Sequence, residues 1–305
     1  MFASLASTLL VLAMQQITIP LGKKPRVNEP DRAPIAQAGP AWAAACGTST
    51  DWNQPAPPVR IHANTYLVGT CGISSILVTG SQGHVLIDGG TEQGADLVAE
   101  NIGTLGFRLK DIRFILTSHE HHDHVGGVAR LQQLTGAAVV ASADAKMVLE
   151  SGQPSRDDPQ YGSITGFPQV RVDRIVVDRQ ALLLGDLYLI PMTTPGHSSG
   201  ALSWRWEACA GAVCRTIVYA DSLSPISSER YRFSAHPAAL AAYRASLAKV
   251  AASRCEILLT PHPSAGNMKD RMAGAAPLFD QQGCKAYAAK LGKMLDERLA
   301  REAAK

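Results

Sequence analysis

Residues 118 to 127, SHEHHDHVGG, set four histidines and one aspartate in six consecutive positions. The segment leading in, IRFILTS (112 to 118), is apolar and reads as a buried strand, and Gly126 and Gly127 let the chain turn sharply after it. Within the stretch lies H-x-H-x-D-H: His119, His121, Asp123 and His124. If the strand continues, alternate side chains share a face, so His119, His121 and Asp123 converge and His124 turns in from the next bend. His122 then points away and is expected to be no ligand. Two more histidines stand in similar settings. TTPGHSSG puts His197 just after the strand-like LYLIPM, and LLTPHPSAG puts His262 just after EILL. Loops at strand ends are where layered α/β folds gather functional residues. Five imidazoles and a carboxylate, with no thiolate, suit zinc held by three protein ligands per ion with a position left open for water. That is a catalytic rather than a structural site. Metal binding lowers the pKa of water to about 7, so hydrolysis at neutral pH needs no protein nucleophile.

The chain around this stretch is long enough to bury a sizeable core: 305 residues, 46% apolar and 18% charged. A net charge of +3 without any run of five Lys or Arg gives no sign of a nucleic-acid partner. The opening MFASLASTLLVLAM is apolar, of signal-peptide length and too short to span a bilayer. Residues 1–20 are therefore expected to be an export signal, with no stable membrane association, and 21–45, rich in Pro, Ala and charge without period, a linker or disordered arm. One domain is expected over 46–305. Cys46, Cys71, Cys209, Cys214, Cys255 and Cys284 are even in number and contain no C-x-x-C, which fits disulfides in an oxidising, periplasmic compartment. Six cysteines allow fifteen pairings. Cys209 and Cys214, flanking AGAV between two strand-like runs, invite a hairpin clip.

Short strand-like runs (IHANTYLVG, ISSILVTG, HVLIDGG) precede an alternation of helix and strand, and the second half repeats the theme with VRVDRIVVD, ALLLGDLYLIPM, GALSWRWE, RTIVYA and EILLTP. HPAALAAYRASLAKVAA reads as a helix. The tail is expected to close the fold as an amphipathic helix through Tyr287, Leu291, Met294, Leu295 and Leu299.

HEHHDH, DGG at 88 to 90, PGH at 195 to 197, YADS at 219 to 222 and TPH at 260 to 262 together resemble the metallo-β-lactamase superfamily. PGHS, YADSLS and LLTPHPS narrow the resemblance to the third subclass of class B β-lactamases, and it runs over essentially all of 46 to 300. The resemblance implies a four-layer αββα sandwich and two zinc ions per chain. His119, His121 and His197 would hold the first ion, and Asp123, His124 and His262 the second. Hydrolysis of penicillins, cephalosporins and carbapenems would follow without an acyl-enzyme, Asp123 and His121 acting with the metal-activated water. Ser222 and Ser224 would bind the substrate carboxylate, and Gln160, from RDDPQYGS, would reach into the pocket. Asp88 is a candidate acceptor that orients a ligating histidine. The implied disulfides are Cys46–Cys71, Cys209–Cys214 and Cys255–Cys284, the first and last each contributing about 3–4 kcal/mol by loop closure. A monomer acting on a small molecule is expected.

The alternative within this fold is thioester or lactone hydrolysis. Asp221 discriminates, because glyoxalase-type relatives bridge two metals with an aspartate in that segment. Two other motifs are decoys. GHSSG (196 to 200) fits a serine-hydrolase elbow but precedes a strand-like run instead of a helix, and SLAK (246 to 249) lacks the S-D-N and K-T-G that accompany S-x-x-K in serine β-lactamases.

Overall fold

The computed structural model describes residues 39–304; the expected signal peptide and the part of the expected linker over 21–38 lie outside them. Residues 39–45 depart from the linker reading. Gly39–Cys46 is a helix, α1, with Trp42 only 1% exposed. Burying one tryptophan outweighs the weak local signal of an Ala- and Pro-containing segment.

The β-branched runs pair into two sheets. The first contains β1 (Val59–His62), β2 (Thr65–Leu67), β3 (Ile76–Gly80), β4 (Gly83–Ile87), β5 (Ile112–Leu116), β6 (Ala138–Ala141) and β7 (Arg174–Ile175), in chain order across the sheet. β1 to β4 are antiparallel neighbours, whereas β4 to β7 run parallel. The parallel steps cross over through α2 (Gly94–Thr104), then α3 (His122–Val125) with α4 (Val128–Thr135), then α5 (Ala143–Ser151). The second sheet is ordered β12-β11-β10-β9-β8 and contains β8 (Leu182–Leu184), β9 (Leu187–Thr193), β10 (Leu202–Ala210), β11 (Val213–Tyr219) and β12 (Ile257–Leu259). α6 (Pro237–Ala251), α7 (Met268–Ala273) and α8 (Gly283–Ala303) complete the chain.

Side-chain alternation along the strands builds the layers. Ile76 and Val78 of β3 meet Leu202, Trp204 and Ile217 between the sheets. Leu77 between them, with Leu86 and Ile115, packs on Val98, Ile102 and Leu131 of the helices outside the first sheet. Val218 and Leu258 of the second sheet pack on Tyr243, Leu247, Leu291 and Leu295 of α6 and α8. The result is the expected αββα sandwich; β4 of the first sheet is buried along its whole length, whereas β9 and β10 of the second keep Tyr188 and Glu207 exposed on its outer face.

Three local expectations need correction. IHANTYLVG is two strands, because Ala63 takes a left-handed φ of 48° and breaks the run. VRVDRIVVD yields only Arg174–Ile175 as strand, since Asp173 turns its carboxylate back to accept from the Val139 N–H (2.9 Å). Met294 is 37% exposed at the edge of the α8 face that buries Tyr287, Leu291 and Leu295. The cysteines form Cys46–Cys71, which ties α1 to the segment after β2, Cys209–Cys214 across the β10–β11 hairpin, and Cys255–Cys284, which ties the start of β12 to α8.

Candidate metal centre

β4 and β5 end side by side, and the loops beyond them start the site. Asp88, directly after β4, holds a left-handed φ of 62° that directs its carboxylate across to the end of β5. It accepts from the Ser118 N–H (2.7 Å), the Ser118 hydroxyl (2.6 Å) and the Tyr219 hydroxyl (2.8 Å). The neighbouring Thr117 carbonyl accepts from the indole of Trp204 (2.9 Å), so the root of the histidine segment is bound to both sheets. Asp88 Oδ2 lies 3.8 Å from His124 Nδ1, beyond hydrogen-bond length. Its main hold is on Ser118.

Strand-like alternation persists through three residues and then stops. His119 and His121 face the site while Glu120 turns the other way, buried, accepting from the Gly200 N–H (2.9 Å) and the Ser198 hydroxyl (2.8 Å). Glu120 thereby fastens the loop that carries His197 to the loop that carries His119 and His121. At His121 the backbone caps α3, so Asp123 arrives from a helical turn and not from the continued strand expected of it, and His124 follows from the same turn. His122 turns toward Trp52, edge to face at 5.4 Å.

The donor atoms of His119, His121 and His197 lie within 4.8 Å of one another, and all three side chains are buried. In the adjoining group Asp123 Oδ2 is 3.0 Å from His124 Nε2 and 3.3 Å from His262 Nε2, and the two imidazole nitrogens are 3.3 Å apart. His119 also falls within 4.8 Å of the Asp123 and His124 donors, so the two groups adjoin in one centre.

The far nitrogens are held from behind. Asp221 Oδ1 sits 2.8 Å from His119 Nδ1; Asp158 Oδ2 sits 2.9 Å from His121 Nε2; His197 Nδ1 donates to the Ser224 carbonyl at 3.0 Å, with the Ser224 hydroxyl at 3.1 Å. The His262 Nδ1 contact to the Gly72 carbonyl is longer, 3.3 Å. Burial, reinforced by the neighbouring imidazoles, lowers His119 well below the ordinary histidine value and His197 to about 3. Burial and His124 lower His262 to about 4. Burial would raise Asp123, but His124, His119 and His262 outweigh it and hold the carboxyl well below its usual range.

These residues fit a divalent metal pair. Neutral imidazoles, favoured here at His119, His197 and His262, and an ionised carboxylate at Asp123 are donor forms a metal requires. His119 Nε2 is buried and has no hydrogen-bond partner, a costly arrangement unless another group satisfies it. Ligands about 2.0–2.1 Å from a tetrahedral zinc stand about 3.3 Å from each other, the spacing seen among Asp123, His124 and His262.

Of the other expected site residues, Gln160 places its amide nitrogen 3.3 Å from His197 Nε2. The Ser222 hydroxyl is buried without a partner, and Ser224 faces His197. Neither decoy is arranged for nucleophilic chemistry. Ser198 donates to Glu120 and is followed by strand β10, Ser246 donates to the Pro195 and Ala242 carbonyls, and Lys249 is bound to Asp178 and Thr193. Asp158, and Glu120 as the fastener of the His197 loop, were not anticipated from the sequence. Neither carries a local signal, since each finds its partner only in the folded chain.

A donor set of five imidazoles and one carboxylate at the rim of an αββα sandwich defines a binuclear metallohydrolase centre. The chain matches the Metallo-beta-lactamase superfamily over residues 68–262. It is similar to the solved metallo-beta-lactamase MIM-1 from Novosphingobium pentaromativorans: 52% identity, 87% of this chain and 98% of the other covered, TM-score 0.85. It is likewise similar to MEM-A1, a subclass B3 metallo-beta-lactamase from a soil metagenome library (44%, 83% and 99%, 0.81), and to BJP-1, the subclass B3 enzyme of Bradyrhizobium japonicum (32%, 83% and 97%, 0.75). A hydroxyacylglutathione hydrolase of Pseudomonas aeruginosa is 51% identical over only 51 residues, 17% of this chain and 16% of that protein. A Bradyrhizobium hydroxyacylglutathione hydrolase is 27% identical over 155 residues, half of its length. This protein belongs to the metallo-β-lactamase superfamily, in its subclass B3 branch.

Proposed function

We propose that the protein is a zinc-dependent β-lactamase, opening the lactam amide of penicillins, cephalosporins and carbapenems by direct hydrolysis and so conferring antibiotic resistance. The observation that carries this reading is the pair of adjoining donor groups with no activated serine or cysteine beside them. His119, His121 and His197 would hold one zinc, and Asp123, His124 and His262 the other. Bound there, the ions supply water acidified to a pKa of about 7 and a Lewis acid for the lactam carbonyl.

The chain's own groups do the rest. Asp123 sets Oδ2 against His124 and His262, and its carboxylate is the proposed acceptor for a proton of the attacking water. His121, held by Asp158, and His119, held by Asp221, keep the first donor group in register with it. Gln160 stands beside His197, where an amide can bind the substrate. Ser222 and Ser224 are the proposed partners of the substrate carboxylate. The apolar opening segment and the three disulfides support an exported, periplasmic enzyme. Among the described residues no helix is long and apolar enough to cross a membrane. We take the working unit to be a monomer.

Thioester hydrolysis is the competing reading, prompted by the partial likeness to hydroxyacylglutathione hydrolases. The position of Asp221 argues against it. Its Oδ1 engages Nδ1 of His119, the side away from the unpartnered Nε2. Steady-state assays with a chromogenic cephalosporin and with a glutathione thioester, each with and without a chelator, test the assignment. Chelator-sensitive cephalosporin hydrolysis with negligible thioester turnover is expected; the reverse preference would overturn it.

A further inference from the structure

The three histidines of the first group do not present the same nitrogen. His119 and His197 are held through Nδ1, by Asp221 and Ser224, and so turn Nε2 inward. His121 is held through Nε2, by Asp158, and therefore turns Nδ1 inward. An ionised carboxylate only accepts, so the nitrogen it touches must carry the proton and the other ring nitrogen is left as the free electron pair.

Asp158 lies in a loop whose neighbours Arg156 and Asp157 are exposed, yet it is 5% exposed itself. Among the described residues its ionic partner is His121 alone. Its second oxygen, Oδ1, accepts from the Gln160 N–H at 2.7 Å, closing a tight turn that delivers the Gln160 side chain to His197. The Ser228 N–H donates to the Pro159 carbonyl (2.8 Å), so this turn is also joined to the segment after Ser224, which holds His197. One carboxylate thus holds a metal donor with one oxygen and the turn that carries Gln160 with the other.

We propose that Asp158 is a positioning residue of the metal centre, which fixes His121 with Nε2 protonated and Nδ1 offered to the ion and sets the turn that carries Gln160. The inference rests on the metal-centre reading above. It differs from a purely structural role in one respect. A turn aspartate that only accepts from the Gln160 N–H is replaced without loss by asparagine. In Asp158→Asn the side-chain oxygen keeps that turn, but the amide NH2 then faces His121 Nε2 and is a donor where an acceptor is needed. The imidazole is driven to the other tautomer, with a proton on Nδ1.

The test is zinc binding to the metal-stripped full-length protein, by competition with a chromophoric chelator, for the wild type, Asp158→Asn, Asp158→Ala and the exposed-neighbour control Asp157→Asn. The wild type and the control are expected to bind two equivalents. Asp158→Asn is expected to weaken one of the two by about 10- to 100-fold while circular dichroism is unchanged. Asp158→Ala, which admits water as a substitute acceptor, should fall between and serves as the measured variant if the asparagine form does not fold. Two equivalents bound by Asp158→Asn, or by Asp158→Ala in its place, with affinities within about twofold of the wild type overturn the proposal and leave the enzyme reading standing. A wild type that binds no zinc overturns both.

Discussion

The two donor groups are built to different standards. His119, His121 and His197 are each under 5% exposed, and each far nitrogen is met at 2.8–3.0 Å by a carboxylate or carbonyl, Asp221 and Ser224 from the loop after β11 and Asp158 from the loop after α5. In the second group the His262 side chain is 27% exposed and its backing contact is 3.3 Å, while His124 has Asp88 only at 3.8 Å. Side chains whose rotamers are locked from behind are preorganised, and a ligand held at the mouth by a longer contact is less so. The first group should therefore bind the tighter ion, and the second should empty first when zinc is limiting.

Substitutions in the two groups test the contrast. His121→Ala removes a donor from the rigid group and should lower kcat/KM by about 1,000-fold or more, since several kcal/mol of transition-state stabilisation go with the ion. His262→Ala should cost less, about 10- to 100-fold, with metal analysis falling from two equivalents toward one. Equal losses for the two variants would erase the distinction between the groups.

A stability measurement away from the centre comes next. Glu302 is buried near the end of α8 and accepts from the Phe233 N–H (3.0 Å), the Ser234 N–H (2.9 Å) and Arg298 (2.8 Å). Burial alone would raise its pKa, but these donors outweigh it and lower the carboxyl to about 2. A depressed folded-state value contributes stability above the unfolded value and loses it as pH falls toward the folded one. Glu302→Gln should therefore cost about 1–3 kcal/mol at pH 7. By thermal unfolding, that difference should shrink between the unfolded carboxyl value of 4.5 and about 2, and a constant gap down to pH 2 would contradict it. The smallest effect belongs to His122→Ala. Directed at Trp52, it should leave activity within about threefold of the wild type, as surface-type substitutions generally do.

The same contrast explains what could be read from the sequence. His119, His121, Asp123, His124, His197 and His262 were legible because they fall in three short segments that follow apolar runs, and strand ends are local signals. The same runs disclosed a layered alternation of strand and helix, whereas the αββα sandwich itself was implied by the resemblance. The contacts that hold these residues were not: Asp158 meets His121 across 37 positions, Glu120 meets Gly200 across 80 and Asp221 meets His119 across 102. None leaves a trace in local spacing. Alternation misplaced Asp123 onto a strand because the pleat yields to α3 at His122, a change that two glycines downstream signal only as a turn. The linker reading failed over α1 because Trp42 is stabilised by the core it enters and not by its neighbours in sequence.

The decisive measurement strips the purified protein of metal and follows hydrolysis of a penicillin, a cephalosporin and a carbapenem as zinc is returned. Activity should vanish on stripping, return in part as the buried histidine trio fills, and become full at two equivalents. Ring opening at an undiminished rate by metal-free protein would contradict the account.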